Sequence, residues 1–390
     1  MTTSSPFTLR LFEPDIGSEE CQAVLRVLES GMLSMGAMVE TFEDAFARFL
    51  GVRHAIAVSS ATAALHLAHH VMGTGTEDEV IVPSLTFVAT ASSVVYTGAT
   101  PIFADIIGEQ DLNIDPDDVA HRITSRTRGI VVVHYAGYPV DMDRIMHLAD
   151  QHGLYVVEDA SHAPGSGYHG KPLGTIGHVG CFSFYTNKNM TTAEGGMVVT
   201  NDDNLAQRMR RMRSHGMTTV TWDRIRGHAY SYDVTDLGFN YRIDEMRAAL
   251  GIVQLNRLPA SNKRRRILMG NYLTGLSQNC MIVVPFGLGV ENVSYHICPV
   301  LLTDGMMRES VMTDLRNRGV QTSIHYPPVH LFSLYRERYG CRSGMLPITE
   351  DVTQRELTLP LYPSMCEADV EHVLEALEKS LTTVATPKGI

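Results

Sequence analysis

Residues 55–71 read Ala55-Ile56-Ala57-Val58-Ser59-Ser60-Ala61-Thr62-Ala63-Ala64-Leu65-His66-Leu67-Ala68-His69-His70-Val71. A short apolar run ends in four small residues, and a helix-forming segment follows. The pattern predicts a strand at 55–58, a turn at 59–62 and a helix at 63–71. The alternation then repeats. Strands are expected at 80–82, 102–104, 130–133 and 155–157, and helices at 87–96, near 116–124 and at 142–151. Short β-branched runs alternating with helices predict βαβ units, an α/β fold with a mainly parallel sheet and helices on both faces.

In such a sheet ligands bind beyond the carboxyl ends of the strands. The residues expected there are Ser59-Ser60-Ala61-Thr62, Pro83-Ser84, Asp105, His134-Tyr135 and Glu158-Asp159. Hydroxyls, a histidine, a tyrosine and acids converging on one rim have the composition of a pocket. At the 59–62 turn, free N–H groups and the helix dipole favour an anion. An ordinary Ser/Thr helix cap is the plainer account of the same residues.

Outward from this region, residues 18–31 predict an amphipathic helix closed by Gly31, and 42–50 a second closed by Gly51. Downstream, residues 205–216 predict an arginine-rich helix. A polar loop over 215–233 holds the sole tryptophan, Trp222, with Arg224, Arg226, His228 and Tyr230. A helix over 243–257 is expected to end at Pro259, where the domain boundary is placed. Residues 1–258 form a large domain with an N-terminal segment, and 259–390 a smaller α+β domain. That second part has strands near 281–284 and 297–302, and helices at 307–318 and 367–381.

The stretch with the most reactive chemistry is Phe184-Tyr185-Thr186-Asn187-Lys188-Asn189-Met190-Thr191-Thr192-Ala193-Glu194-Gly195-Gly196. Only Lys171, Lys188, Lys263, Lys379 and Lys388 are lysines among the 32 basic residues. A chain that otherwise uses arginine keeps a lysine where an amine, not merely a charge, is required. A lysine amine forms Schiff bases with carbonyl compounds, pyridoxal phosphate (PLP) among them. Most lysines are simply solvated, and that is the bland alternative.

Composition narrows the functional classes. A formal net charge of −11 argues against a nucleic-acid binder. Six cysteines without a CxxC pair read as free thiols of a cytoplasmic protein. The N-terminus lacks the features of a signal peptide, and no apolar run reaches a membrane span. Two motifs are set aside. Gly165-Ser166-Gly167-Tyr168-His169-Gly170 fits G-x-G-x-x-G, but neither directly follows a strand nor opens a helix. His66 and His70 share a helix face without a third ligand candidate, so no metal site is expected.

Val157-Glu158-Asp159-Ala160-Ser161-His162-Ala163, Phe182-Ser183-Phe184 and the Lys188–Gly196 stretch resemble signatures of the DegT/DnrJ/EryC1/StrS-type sugar aminotransferases. So do Pro83-Ser84-Leu85-Thr86-Phe87, Leu237-Gly238-Phe239-Asn240-Tyr241-Arg242 and His325-Tyr326-Pro327-Pro328. The order of these motifs covers nearly the whole chain. The resemblance implies PLP fold type I (aspartate aminotransferase-like), with residues 1–258 as the PLP-binding domain. Lys188 would hold PLP covalently and then act as base and acid. Asp159 would pair with the pyridine nitrogen, with His162 and Phe87 against the ring. Ala61, Thr62 and Ser183 would hold the phosphate, and Asn240 would reach it from the partner of a homodimer. His325 and Tyr326, with Arg224 and Arg226 on a diphosphate, would bind substrate. Ala61 and Ala193 stand where the family usually has glycine.

The expected activity is transfer of an amino group from glutamate to a nucleotide-linked keto-sugar. C4 of a dTDP-4-keto-6-deoxyhexose is the expected position, in amino-sugar synthesis for a secondary metabolite or surface polysaccharide. A 3-keto-sugar or keto-inositol aminotransferase is the alternative, followed by a PLP-binding regulatory protein without turnover. A sugar dehydratase of similar sequence carries histidine in place of the lysine, and Lys188 argues against it.

Overall fold

The computed structural model describes residues 7–219, 227, 231–287 and 292–385. Trp222, Arg224 and Arg226, singled out above, lie outside the described residues. In chain order the large domain comprises α1 (Ser18–Ser30), α2 (Ala37–Leu50), β1 (His54–Val58), α3 (Ala61–Val71), β2 (Glu79–Pro83), α4 (Ala89–Tyr96) and β3 (Thr100–Ala104). The hairpin β4 (Ile106–Gly108) and β5 (Asp111–Ile114) precedes α5 (Pro116–Arg122), β6 (Thr127–Val133), α6 (Met142–His152) and β7 (Tyr155–Asp159). A second hairpin, β8 (Gly167–Tyr168) and β9 (Lys171–Pro172), leads to β10 (Val179–Ser183), β11 (Gly196–Thr200) and α7 (Asp203–Met212). The discarded G-x-G-x-x-G thus runs into a hairpin, with Gly167 opposite Pro172.

Seven strands form one sheet in the order β1-β11-β10-β7-β6-β2-β3. Neighbours from β10 to β3 are parallel, while β11 runs antiparallel between β10 and β1. The sheet is mainly parallel, as expected, and its antiparallel strand β11 has a consequence for function. Register places Gly196, the start of β11, opposite both Val58 and Ser183, the ends of β1 and β10. The 184–195 loop therefore begins and ends at the carboxyl edge of the sheet, and holds Lys188 there.

Side chains leave each strand alternately to the two faces, and both faces are covered, as continuous apolar strands require. Ile56, Val58, Val82, Val157 and Val198 pack with Leu65, Ala68, Met209 and Met212 of α3 and α7. On the opposite face, Ala57, Phe182, Met197 and Val199 meet Phe42 and Phe46 of α2. Ring centroids of Phe46 lie 5.1 Å from Phe182 and 5.4 Å from Phe184, so α2 grips the strand that leads into the Lys188 loop. Truncating such a buried ring costs about 3–5 kcal/mol.

The helix expected to stop at Pro259 does not stop. α8 runs from Glu245 to Leu276 with Pro259 inside it. Proline lacks the N–H for the preceding turn, at a cost of about 3 kcal/mol, but both halves of the helix are fastened by packing. Leu255 and Leu258 join the α2 core, whereas Leu268, Met269, Tyr272 and Leu276 belong to the C-terminal core. Within the described residues that core includes a sheet of β12 (Ile282–Val283), β13 (Cys298–Leu302) and β14 (Glu356–Leu359). The helices α9 (Arg308–Asn317), α10 (Ser333–Tyr339), α11 (Pro347–Arg355) and α12 (Glu367–Ala385) complete the C-terminal part. Val370, Val373, Leu377 and Leu381 of α12 turn inward as their spacing predicts. Leu9, from the N-terminal segment assigned above to the large domain, packs into this C-terminal core.

Candidate active site

At the carboxyl edge of the sheet lies a cavity of about 410 Å³, lined among others by Thr62, Phe87, Asp159, His162, Lys188 and Tyr326. Ala61, Ser183 and His325 line it too. Strand ends supply Asp159 and Ser183, the first turn of α3 supplies Ala61 and Thr62, and the β10–β11 loop supplies Lys188. The volume lies within the ~300–1,000 Å³ of small-ligand sites.

Each group is fixed from behind. Asp159 is buried; its Oδ2 accepts from Thr90 Oγ1 at 2.8 Å and its Oδ1 from the Ser161 N–H at 3.2 Å. His162 Nδ1 accepts from the Ala136 N–H at 3.3 Å, so Nε2 carries the proton and donates to the phenol oxygen of Tyr326 at 3.0 Å. Burial first, then the neighbouring charges of Lys188 and His325, hold the His162 pKa well below its ordinary value. Phe87 is 57 % exposed, with its ring 5.9 Å from that of Tyr326.

At α3, the Ser60 hydroxyl accepts from the Ala63 N–H at 3.1 Å. Ser60 is thus a true helix cap, and it leaves the N–H groups of Ala61 and Thr62 for another acceptor. Ala61 opens the helix with ordinary helical backbone, so the methyl in place of the usual glycine hydrogen does not turn its N–H away. Gly196 lets β11 lie against this turn: a Cβ there would stand 2.5 Å from the Ser60 carbonyl and 2.7 Å from the Ala61 nitrogen. The other alanine substitution is strained. Ala193 has φ 66°, the left-handed region that favours glycine.

Lys188 has a neighbour that the sequence does not signal. His296, just ahead of β13, places Nε2 3.5 Å from the Lys188 amine. A chain of amides sets its proton. The Pro164 carbonyl accepts from Asn262 Nδ2 at 2.9 Å, and Asn262 Oδ1 accepts from Asn189 Nδ2 at 2.9 Å. Asn189 Nδ2 also donates to the Ser294 carbonyl at 2.8 Å. Asn189 Oδ1 is therefore the acceptor for His296 Nδ1–H at 3.0 Å, and Nε2 is bare. The bare nitrogen receives the Lys188 amine. Burial lowers the Lys188 pKa to about 8, against the opposing pull of the Asp159 charge.

Other expected rim residues serve the fold instead. Asp105 accepts from the Thr349 N–H at 2.7 Å and the Ile348 N–H at 3.1 Å, tying down the start of α11. His134 Nε2 meets Glu158 Oε2 at 3.0 Å with both side chains fully buried. Ser84 Oγ bonds His330 Nδ1 at 2.7 Å. Asn240 is exposed and bridges Ser214 through its backbone; it does not line this chain's cavity. Arg213, at the end of α7, is buried on Glu43 and the Ala57 carbonyl. His66, half of the histidine pair set aside above, bonds Tyr241 through Nδ1 at 2.9 Å.

Residues 14–378 match the DegT/DnrJ/EryC1/StrS aminotransferase family. The chain belongs to this family. It is a PLP-dependent sugar aminotransferase of fold type I. The spore coat polysaccharide biosynthesis protein SpsC of Bacillus subtilis is 41 % identical over 369 residues, 93 % of this chain and 95 % of that protein. The aminotransferase PseC of Helicobacter pylori, involved in the biosynthesis of pseudoaminic acid, superposes with a TM-score of 0.90 at 32 % identity, covering 96 % of this chain and 99 % of PseC. The sugar aminotransferase Spr1654 of Streptococcus pneumoniae, described as putative and solved in a PLP form, gives 0.90 at 27 % identity, over 97 % and 100 % of the two chains.

The cavity fits this cofactor. Two uncommitted helix N–H groups suit its phosphate, a buried carboxylate suits its pyridinium nitrogen, and a lysine of lowered pKa suits its carbonyl.

Proposed function

We propose that this aminotransferase moves the amino group of glutamate to a nucleotide-linked keto-sugar, at C4 of a dTDP-4-keto-6-deoxyhexose. The observation that carries the reading is the convergence of Lys188 and Asp159 on one cavity beside the open start of α3. The names of SpsC and PseC, proteins of polysaccharide and pseudoaminic acid biosynthesis, support a sugar acceptor. Bound PLP supplies an electrophilic carbonyl and an electron sink.

The chain's own residues do the rest. Asp159 keeps the ring nitrogen charged, and the N–H groups of Ala61 and Thr62, with Ser183, hold the phosphate. Phe87 and His162 offer aromatic surfaces to the ring. Lys188, uncharged in part at neutral pH, would hold PLP and supply the amine that accepts and returns a proton, with His296 orienting that amine. His325 and Tyr326 bind substrate, and Arg224 or Arg226 takes the diphosphate.

The active unit is a homodimer in which Asn240 serves the partner's cofactor. Its exposure on its own chain supports this, as do Val234 and Leu237 beside it, 54 % and 76 % exposed. Ile16, Leu25 and Leu28 of the α1 region form a second exposed apolar surface against Thr186 and Ala193 of the Lys188 loop. Among the described residues no helix is long and apolar enough to cross a membrane, and with free cysteines a cytoplasmic enzyme is the reading we favour.

The test is product formation with glutamate against a panel of dTDP- and UDP-linked 3-keto and 4-keto sugars and a keto-inositol. Preference for a dTDP-4-keto-6-deoxyhexose is expected. Preference for a 3-keto-sugar or for the inositol would overturn the assignment of position or class.

A further inference from the structure

Glu356 opens β14 and is 1 % exposed. Its buried carboxylate takes no part in the reaction as described, yet it reaches the cavity through two contacts. Oε2 accepts from the His325 backbone N–H at 2.7 Å. Oε1 accepts from the hydroxyl of Thr358, two residues along the strand. The Thr358 oxygen stands 2.8 Å from His325 Nδ1. With Nδ1 engaged behind, the Nε2 edge of His325 is left for the cavity that this residue lines.

A hydroxyl has one proton to give. Thr358 gives it to Glu356, so its oxygen must accept from His325, and the ring proton must sit on Nδ1. Burial, aided by the charge of Lys188, lowers the His325 pKa to about 4, so the ring is neutral and Nε2 bare. We propose that Glu356, acting through Thr358, fixes the tautomer of His325 and so makes its Nε2 an acceptor for a sugar hydroxyl in the cavity. Glu356 is thereby a positioning residue. A carboxylate or diphosphate cannot bond to a bare nitrogen, so His325 selects for the hydroxyl-bearing part of the acceptor substrate.

The relay has a second setting. A protonated Glu356 donates to Thr358, Thr358 donates to Nδ1, and the ring proton moves to Nε2, which turns from acceptor to donor. Burial raises the Glu356 pKa to about 7, opposed by its bonds from Thr358 and His325 and by the charge of Arg308 on α9. Tyr135, Tyr326 and Cys298 also face it, all with raised pKa values that keep them neutral. Above pH 7 the carboxylate form sets the relay.

The inference rests on the cavity being the sugar site, but its first readout does not. Holoenzyme with ¹⁵N-labelled histidine is compared at pH 8 by imidazole ¹⁵N–¹H correlation, with His325 assigned through His325→Gln. The wild type is expected in the Nδ1–H form. In Glu356→Gln the amide oxygen must face the His325 N–H, its NH₂ must face Thr358, and His325 is expected in the Nε2–H form. The KM for the keto-sugar should rise about tenfold, the loss of one hydrogen bond, while the glutamate half-reaction keeps its rate. Thr358→Val should break the relay, and Thr358→Ser should restore tautomer and KM together, which covers the case of an unfolded Glu356→Gln. An Nε2–H wild type at pH 8, or a tautomer indifferent to both the Glu356 and the Thr358 changes, would overturn the proposal. The expected tautomers with no turnover of any nucleotide sugar would instead overturn the substrate reading alone.

Discussion

The amine of Lys188 donates toward a bare Nε2 of His296, 3.5 Å away, a direction set by the Ser294 carbonyl one amide away and the Pro164 carbonyl two amides away. A lysine so held turns its lone pair elsewhere, which is what a proton-shuttling amine requires. Replacing His296 with leucine should leave PLP bound yet slow both half-reactions by about tenfold, from one lost positioning bond. It also strands the buried Asn189 oxygen, at about 1–3 kcal/mol. Stopped-flow spectra of each half-reaction and a thermal unfolding curve separate the two effects. Unaltered rates would show that Lys188 needs no such partner.

The lowered pKa of Lys188 predicts a pH dependence for cofactor capture. The neutral amine is the nucleophile. At pH 7.5 a pKa of about 8 leaves about a quarter of the amines neutral, against about one in a thousand for an ordinary lysine. The shift is downward, so reactivity is low well below pH 8 and rises through it. The rate at which the apoenzyme captures PLP, followed by visible absorption, should climb with a midpoint near 8. A midpoint near the ordinary lysine value would mean that the amine stays solvated.

The alternation of strands and helices, and the positions of Lys188 and Asp159, were legible because they are local. A β-branched run, a loop lysine and an acid at a strand end lie within short stretches. His296 and Glu356 were not legible. Each lies more than 100 residues from Lys188 in sequence and reaches the cavity only once the C-terminal strands pack on the large domain. Pro259 misled for a related reason. Its local cost is real, but packing on two separate cores outweighs it. Asp105 and His134 misled in the opposite sense, because a strand's carboxyl end also needs caps and buried pairs.

Asp159→Asn tests the charge on the other side of the cavity. An amide cannot keep a pyridine nitrogen protonated, although its NH₂ can donate to Thr90 Oγ1, whose own proton then turns to Thr86 Oγ1, while its oxygen still accepts from the Ser161 N–H. Removing one partner of a buried charged pair costs about 3–5 kcal/mol, which corresponds to roughly 10²–10⁴ in rate. Purified mutant should retain PLP absorption while turnover falls by that factor. A near-normal rate would assign the nitrogen to another residue.

Ala193→Gly should stabilise the protein. The left-handed backbone at Ala193, φ 66°, costs an L-residue roughly 1–2 kcal/mol, and the glycine's greater freedom when unfolded returns about 0.5–1 of it. A net gain of about 0.5–1 kcal/mol is expected from denaturant unfolding. The residue 193 N–H donates to the Thr191 hydroxyl at 2.9 Å; residue 193 contributes only its backbone, so the bond survives the change. Destabilisation would mean that the methyl packs to some purpose.

Asn240 decides whether the active site is shared between subunits. Its backbone bridge to Ser214 does not depend on the side chain, so Asn240→Ala should fold normally. Alone it should weaken PLP binding, and Lys188→Ala alone should be inactive. Co-expressed in equal amounts, the two variants form mixed dimers in half of the population by chance. If Asn240 acts in trans, each mixed dimer has one pocket that lacks both groups and one that lacks neither. About a quarter of wild-type activity should then return, by the symmetry of a two-fold dimer. If Asn240 acts within its own chain, every pocket keeps one defect, and mixing adds nothing to the residual activity of Asn240→Ala. That second outcome would require the chain to bring an exposed residue back into its own cavity, and would reject the shared site.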